Sequence, residues 1–254
     1  MTEPQKTDPK PDDNGKYAIH YMKTTIQLTA FVEAPPKHYA ALIFPGFQAL
    51  DLFGPLDILN LLGKGREIKL SLIGPTMDPV STDDPEPNSN KFNSTSYQSV
   101  VPTHTYETAP KDIEVLLLPG GAGTRHDETV EPVIKFVADI YPKLRYLLTV
   151  CTGSSVAARA GILDGKNATT NKLRFQDISK ANPQVQWKQR ARWVVDGNIW
   201  TSSGISAGID NMLAFVEHAY NRTTAKTMAK VLEYEWNENS EDDPFWQSAL
   251  PKAS

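Results

Sequence analysis

From Tyr39 onward the chain alternates two kinds of apolar pattern. One is a short unbroken run closed by glycine, proline or small residues: HYAALIF (38–44) before Pro45-Gly46, IKLSLIG (68–74), DIEVLLL (112–118) before Pro119-Gly120-Gly121, and LRYLLTV (144–150) before Cys151. Runs of that length bounded by turn residues read as buried strands. The other has helical spacing: LDLFGPLDILNLL (50–62), VEPVIKFVADIY (130–141), an alanine-rich segment from Gly153 to Leu163 stopped by Asp164-Gly165, and segments 206–220 and 223–235. Pro55 is expected in the first turn of the first of these helices, where its missing N–H costs nothing. NATTN (167–171) and RWVVDGNIWTSSG (192–204) add short β segments, the second turning at Asp196-Gly197 as a hairpin. Strands that alternate with helices predict an α/β fold, a mainly parallel twisted sheet sandwiched by helices in the flavodoxin-like three-layer manner.

The pattern also divides the chain. Residues 1–37 form an N-terminal arm, polar and proline-rich to residue 16 and expected to be at least partly disordered. A strand-like patch at Thr24–Val32 is broken by Glu33-Ala34-Pro35-Pro36. The domain proper spans 38–236. Within it, residues 75–96 are dense in Pro, Asp, Asn and Ser and form a long surface insertion, either a hairpin in part or a mobile loop. The tail, 237–254, mixes acidic residues with Phe245 and Trp246. It reads as a loose terminus, with a docked tail or dimer contact as the alternative.

Composition narrows the function. Forty per cent hydrophobic and 22% charged residues over 254 positions are ordinary for a soluble globular protein. A net charge of −4, with no lysine–arginine cluster, argues against an electrostatic nucleic-acid binder. A single cysteine excludes an intramolecular disulfide and suits a reduced, cytoplasmic setting. No run approaches the length of a membrane span, and the first twenty residues lack the apolar stretch of a secretory signal. The five histidines, His20, His38, His104, His126 and His218, show no ligand spacing, so neither metal nor cofactor is expected.

The candidate chemistry centres on Cys151. Lying between the run Tyr146–Val150 and the alanine-rich helix, it falls on a sharp strand-to-helix turn. A helix N-terminus beside the sulfur supplies N–H donors and a positive dipole end, so the thiolate is expected to be favoured. The plainer alternative is a small buried hydrophobe. In a parallel sheet, ligands bind beyond the carboxyl ends of the strands. Three segments should converge there: Pro45-Gly46 to Asp51, Pro119-Gly120-Gly121, and Cys151-Thr152-Gly153. On its own, Asp51 reads equally as a helix N-cap. Asp57, further along that helix, reads as a solvated charge, and Trp193 and Trp200 as hairpin packing.

Four collinear stretches, FPGFQALDLFGPLDIL (44–59), LLLPGGAGT (116–124), LLTVCTGSSVAARAGILDGKNATT (147–170) and VVDGNIWTSSGISAGID (194–210), resemble the ThiJ/PfpI superfamily, most closely its isocyanide (isonitrile) hydratase branch. A weaker match runs through LEYEW (232–236). The resemblance implies Cys151 as nucleophile on an elbow and Asp51 as its acidic partner. It further implies Gly121 and Thr152 as backbone N–H donors to an anionic intermediate. The implied activity is a histidine-free hydratase or lyase acting on a small carbon electrophile, isocyanide to N-substituted formamide, in an expected homodimer. Glyoxalase-like action on α-oxoaldehydes and a non-enzymatic redox sensor using Cys151 are the alternatives. Other members carry histidine directly after the cysteine or after the segment equivalent to Ala168-Thr169-Thr170, where this chain has Thr152 and Asn171. No Cys–His dyad is therefore expected. His126 follows the glycine turn but reads as a surface residue. The sensor half of a transcription regulator would need a helix-turn-helix domain, and the roughly 34 residues after Tyr220 leave no room for one.

Overall fold

The computed structural model describes residues 34–250, so the strand-like patch at Thr24–Val32 and nearly all of the arm lie outside the described residues. In chain order the strands are β1 (His38–Leu42), β2 (Lys69–Gly74), β3 (Val80–Ser81), β4 (Ser99–Val100), β5 (His104–Thr105), β6 (Val115–Leu118), β7 (Tyr146–Thr149), β8 (Asn167–Ala168), β9 (Gln186–Trp187), β10 (Trp193–Asp196) and β11 (Ile199–Ser202). The helices are α1 (Ala49–Gly63), α2 (Asp127–Ile140), α3 (Gly153–Arg159), α4 (Phe175–Ala181), α5 (Ala207–Ala219) and α6 (Arg222–Val231).

Seven strands form one sheet in the order β10-β11-β7-β6-β1-β2-β5. Every pairing in it is parallel except the β10–β11 hairpin, in which Val195 faces Trp200. Each residue of β1, β6 and β11 is buried. Because successive side chains point to opposite faces, burial at every position means that both faces of these strands are covered. The helices that cover them pack in two groups, α1 with α5 and α6, and α2 with α3. The α/β expectation holds.

The order reverses at the centre of the sheet. From β1 the chain steps outward to β2 on one side, then returns to lay β6 on the other. Such a switch point opens a crevice at the carboxyl ends of the neighbouring strands. The loops after β1, β6 and β7 all end at that edge, and the loop following β11 joins them there.

Several elements differ in detail from the pattern. Helix α3 stops at Arg159, short of Leu163, because Gly161 turns the backbone left-handed at φ +74. Pro55 lies well inside α1, since the helix already begins at Ala49. The N–H it lacks would have gone to the carbonyl of Asp51. The insertion resolves toward the hairpin alternative: β3 and β4 pair antiparallel, Val80 opposite Val100, and Ser81 O accepts the Gly46 N–H at 2.9 Å. Trp193 and Trp200 are buried, and the Trp200 ring meets Phe215 edge-on at 5.4 Å. Asp57 is exposed, as expected of a solvated charge.

Candidate active site

Cys151 follows β7 by two residues and adopts φ +58, a left-handed conformation that only glycine takes freely. For a side-chain-bearing residue this costs about 1–2 kcal/mol. The turn is held from both neighbouring strands. Val150 N donates to Leu118 O at 3.0 Å, and Cys151 N donates to Ser203 O at 2.9 Å. The chain then needs to pass close to β6, and Gly153 permits this: a Cβ there would lie 2.3 Å from Leu118 O. The elbow expected from the sequence is present.

The charge state of that sulfur differs from expectation. Cys151 is 6% exposed, and burial, followed by the charge of Asp51, pushes its thiol up to about 12. Donors from the Ile205 and Thr152 backbone and the Asn171 side chain act in the opposite sense without prevailing. A seven-residue helix and three donors do not offset the loss of water around a thiolate. The resting species is the thiol.

Asp51 is fully buried at the third position of α1. The N-cap position belongs to Gln48, so the capping alternative for Asp51 does not hold. Its Oδ2 accepts the Gly120 N–H at 2.9 Å, and the carboxyl meets the Cys151 thiol. Burial raises this carboxyl to about 7, against the pull of the Gly120 amide and the thiol. A carboxyl at about 7 is poised to take or give a proton at neutral pH.

Asn171 completes the sulfur's surroundings. Its Nδ2 donates to Cys151 Sγ at 3.1 Å, while its Oδ1 accepts from Arg174 N at 3.2 Å. Two hydrogen bonds at opposite ends of one amide fix its orientation. Sequence reasoning noted Asn171 only as a substitution for histidine; its position after Ala168-Thr169-Thr170 was the usable signal. Ile205 was missed. It sits at φ +34 in the loop between β11 and α5, and its N–H donates toward the sulfur.

Gly121 and Thr152 lie together, but the Gly121 N–H donates to Thr152 Oγ1 at 3.0 Å and is not directed into open space. Thr152 Oγ1 also accepts from Thr124 Oγ1 at 3.0 Å. Gly121 has φ +135, and a Cβ there would fall 2.2 Å from Gly46 O, so only glycine fits the strand crossing. The Thr152 N–H is turned toward Cys151. His126 does not approach the sulfur. Its Nε2 is 2.8 Å from Asp84 and its Nδ1 3.3 Å from Glu86, which ties it to the insertion.

A cavity of about 370 Å³ opens beside Thr152, between Ser155 and Arg159 of α3 and Arg174 and Asp177 of the facing segment. A larger one, about 700 Å³, is lined by Trp187, Arg190 and Trp193 and includes none of the residues around the sulfur. No group of three or more His, Cys, Asp or Glu that could hold a metal ion occurs among the described residues. No described helix is long and apolar enough to cross a membrane.

The DJ-1/PfpI family pattern matches residues 37–218. The chain belongs to the DJ-1/PfpI family. It is 35% identical to an isonitrile hydratase of Pseudomonas putida over 193 residues, 76% of each protein. It is 30% identical over 143 residues to the HTH-type transcriptional regulator GbdR of Pseudomonas aeruginosa, covering 56% of this chain and 38% of that one. Among solved structures, a ThiJ/PfpI family protein from Pseudomonas syringae superimposes with a TM-score of 0.64 at 26% identity over 84% of each chain. These relatives span both an enzyme and a regulator, so the chemistry must be argued from the site.

Proposed function

We propose that the chain is a cysteine-dependent hydratase of small carbon electrophiles, with isocyanides as substrates. One observation carries the reading: a buried carboxyl raised to about 7 faces a thiol raised to about 12, with an asparagine amide on the sulfur. That pair stores one transferable proton. It does not supply a standing thiolate.

An isocyanide, R–N≡C, suits such a pair. Its terminal carbon accepts a nucleophile and needs a proton on the same atom. The Asp51 carboxylate takes the thiol proton as Sγ bonds to that carbon, then returns it to the carbon, giving the thioimidate R–N=CH–S–Cys151. Water adds to the thioimidate carbon, and collapse expels the thiol and releases R–NH–CHO. Each turnover consumes one water and returns Cys151 and Asp51 to their starting states. The Thr152, Ile205 and Asn171 donors stabilise the sulfur while it carries negative charge. The likeness to the isonitrile hydratase supports this reading.

A redox sensor built on Cys151 has less support, because oxidation follows thiolate character and access, and this sulfur has little of either. The decisive experiment supplies aliphatic and aromatic isocyanides alongside α-oxoaldehydes to the wild type and to Cys151→Ser. Formamide production by the wild type alone supports the proposal. Consumption of α-oxoaldehydes with none of isocyanides refutes it.

A further inference from the structure

Through residue 250, the last one described, the tail beyond α6 is docked on the domain. After α6 the chain runs back over the domain, and Asn237 N donates to Asp210 Oδ1 at 3.0 Å. Arg192 N donates to Ser240 O at 2.8 Å, and Asp243 N to Arg190 O at 2.9 Å. Further along, Gln176 Nε2 donates to Ala249 O at 2.7 Å, and Ala249 is fully buried. On the outside, Arg190 pairs with Asp242 at 3.0 Å and lies over the Trp246 ring at 5.6 Å.

The centre of this contact is a set of four buried charges that the proposed mechanism leaves unused. Arg192 meets Asp210 at 2.6 Å, and both are at least 90% buried. Asp243, 1% exposed, lies 3.8 Å from Arg192 and 4.0 Å from Lys172 Nζ. Lys172 is itself 3% exposed and donates to Thr169 Oγ1 and Ala191 O, both at 2.7 Å. Two cations face two carboxylates, and one carboxylate comes from the tail. Burial, ahead of the attraction of Asp243 and the repulsion of Arg192, holds Lys172 down to about 8. Its charged state in the core therefore depends on the tail carboxylate.

Lys172 directly follows Asn171, the residue whose amide holds Cys151 Sγ. The preceding Thr170 also touches the elbow, its hydroxyl donating to Cys151 O at 3.1 Å. Segment 169–172 thus has one side on the nucleophile and the other on the tail. We propose that the tail is a strap and Asp243 a positioning residue, which through Lys172 sets the Asn171 amide on the sulfur of Cys151. The tail lies beyond residues 37–218, the stretch that the family pattern matches. The inference rests on the proposed role of the Cys151 site, but it can be tested without any substrate.

The test is the rate of Cys151 alkylation by iodoacetamide at pH 8 in the full chain, in a double-mutant cycle of Asp243→Asn and Asn171→Ala. Losing the amide donor raises the thiol further, so each single variant should react three- to tenfold more slowly, and the double variant no more slowly than Asn171→Ala alone. Effects that multiply in the double variant, an unchanged rate in Asp243→Asn, or a faster rate from simple uncovering of the sulfur would each overturn the strap. If Asp243→Asn does not fold, Arg190→Ala loosens the same tail from its exposed side without stranding a buried charge. It should show the same non-additivity with Asn171→Ala, and additivity there overturns the inference. Absence of isocyanide turnover in the wild type would sink the proposed function while leaving this cycle readable.

Discussion

Asp51 is the residue on which most depends, because its environment sets both reactivity and stability. Replacing it by Asn keeps the shape but removes the exchangeable proton. Turnover of an isocyanide should fall by roughly 10²–10⁴ while circular dichroism stays native. In the wild type, kcat/KM should rise with pH through about 7, as the carboxylate able to accept the thiol proton appears. Stability moves the other way. The native carboxyl is raised above its unfolded value, so the protonated native form contributes fully below about pH 4, and that contribution is lost as pH rises through about 7. The loss is at most about 4 kcal/mol. Asp51→Asn escapes it, so the variant's melting temperature should exceed that of the wild type by more at pH 8 than at pH 5. Asn171→Ala removes one donor to the sulfur that carries negative charge in the proposed reaction. A ten- to hundredfold fall in kcat is expected from a hydrogen bond to a charged group of about 1.5–3 kcal/mol, with little change in melting temperature.

Among the elements, the β3–β4 hairpin and its extension carry no residue placed on the sulfur, yet they lie against the glycine turn after β1. The contacts that hold them are Gly46 to Ser81, and His126 and Arg125 to Asp84. His126→Ala should therefore increase protease cleavage within residues 82–98 while changing turnover less than tenfold. A hundredfold loss of turnover would mean that the histidine acts in the chemistry after all. The strands and long helices were legible from their patterns because burial on both faces of β1 and β6 demands unbroken apolar runs. The helical spacing of Ala160, Ile162 and Leu163 runs past the end of α3, because Gly161 bends the backbone after Arg159. Pro55 misled for a similar reason: a proline preference for the first turn is a tendency, and α1 tolerates it further in.

At the scale of the whole molecule, the Arg192–Asp210 pair joins the segment before β10 to α5 and, through Asn237, to the tail. Truncating one partner strands the other in the core. Asp210→Ala should cost roughly 3–5 kcal/mol, read as a lower midpoint in urea unfolding. None of this network was visible along the chain, because Lys172, Arg192, Asp210 and Asp243 each look like an ordinary surface charge until folding surrounds them. The sequence by itself determined the alternation of strands and helices, the elbow at Cys151 and the convergence of Asp51 with it. Apolar periodicity and turn residues are local, and parallel α/β topology brings loop ends together at one edge. Tertiary structure alone decided the proton. The helix N-terminus beside Cys151 favours a thiolate, but water excluded by β6, β7, β11 and α1 around one carboxyl and one thiol outweighs it. Desolvation depends on everything packed around a group, and no short stretch of sequence records that.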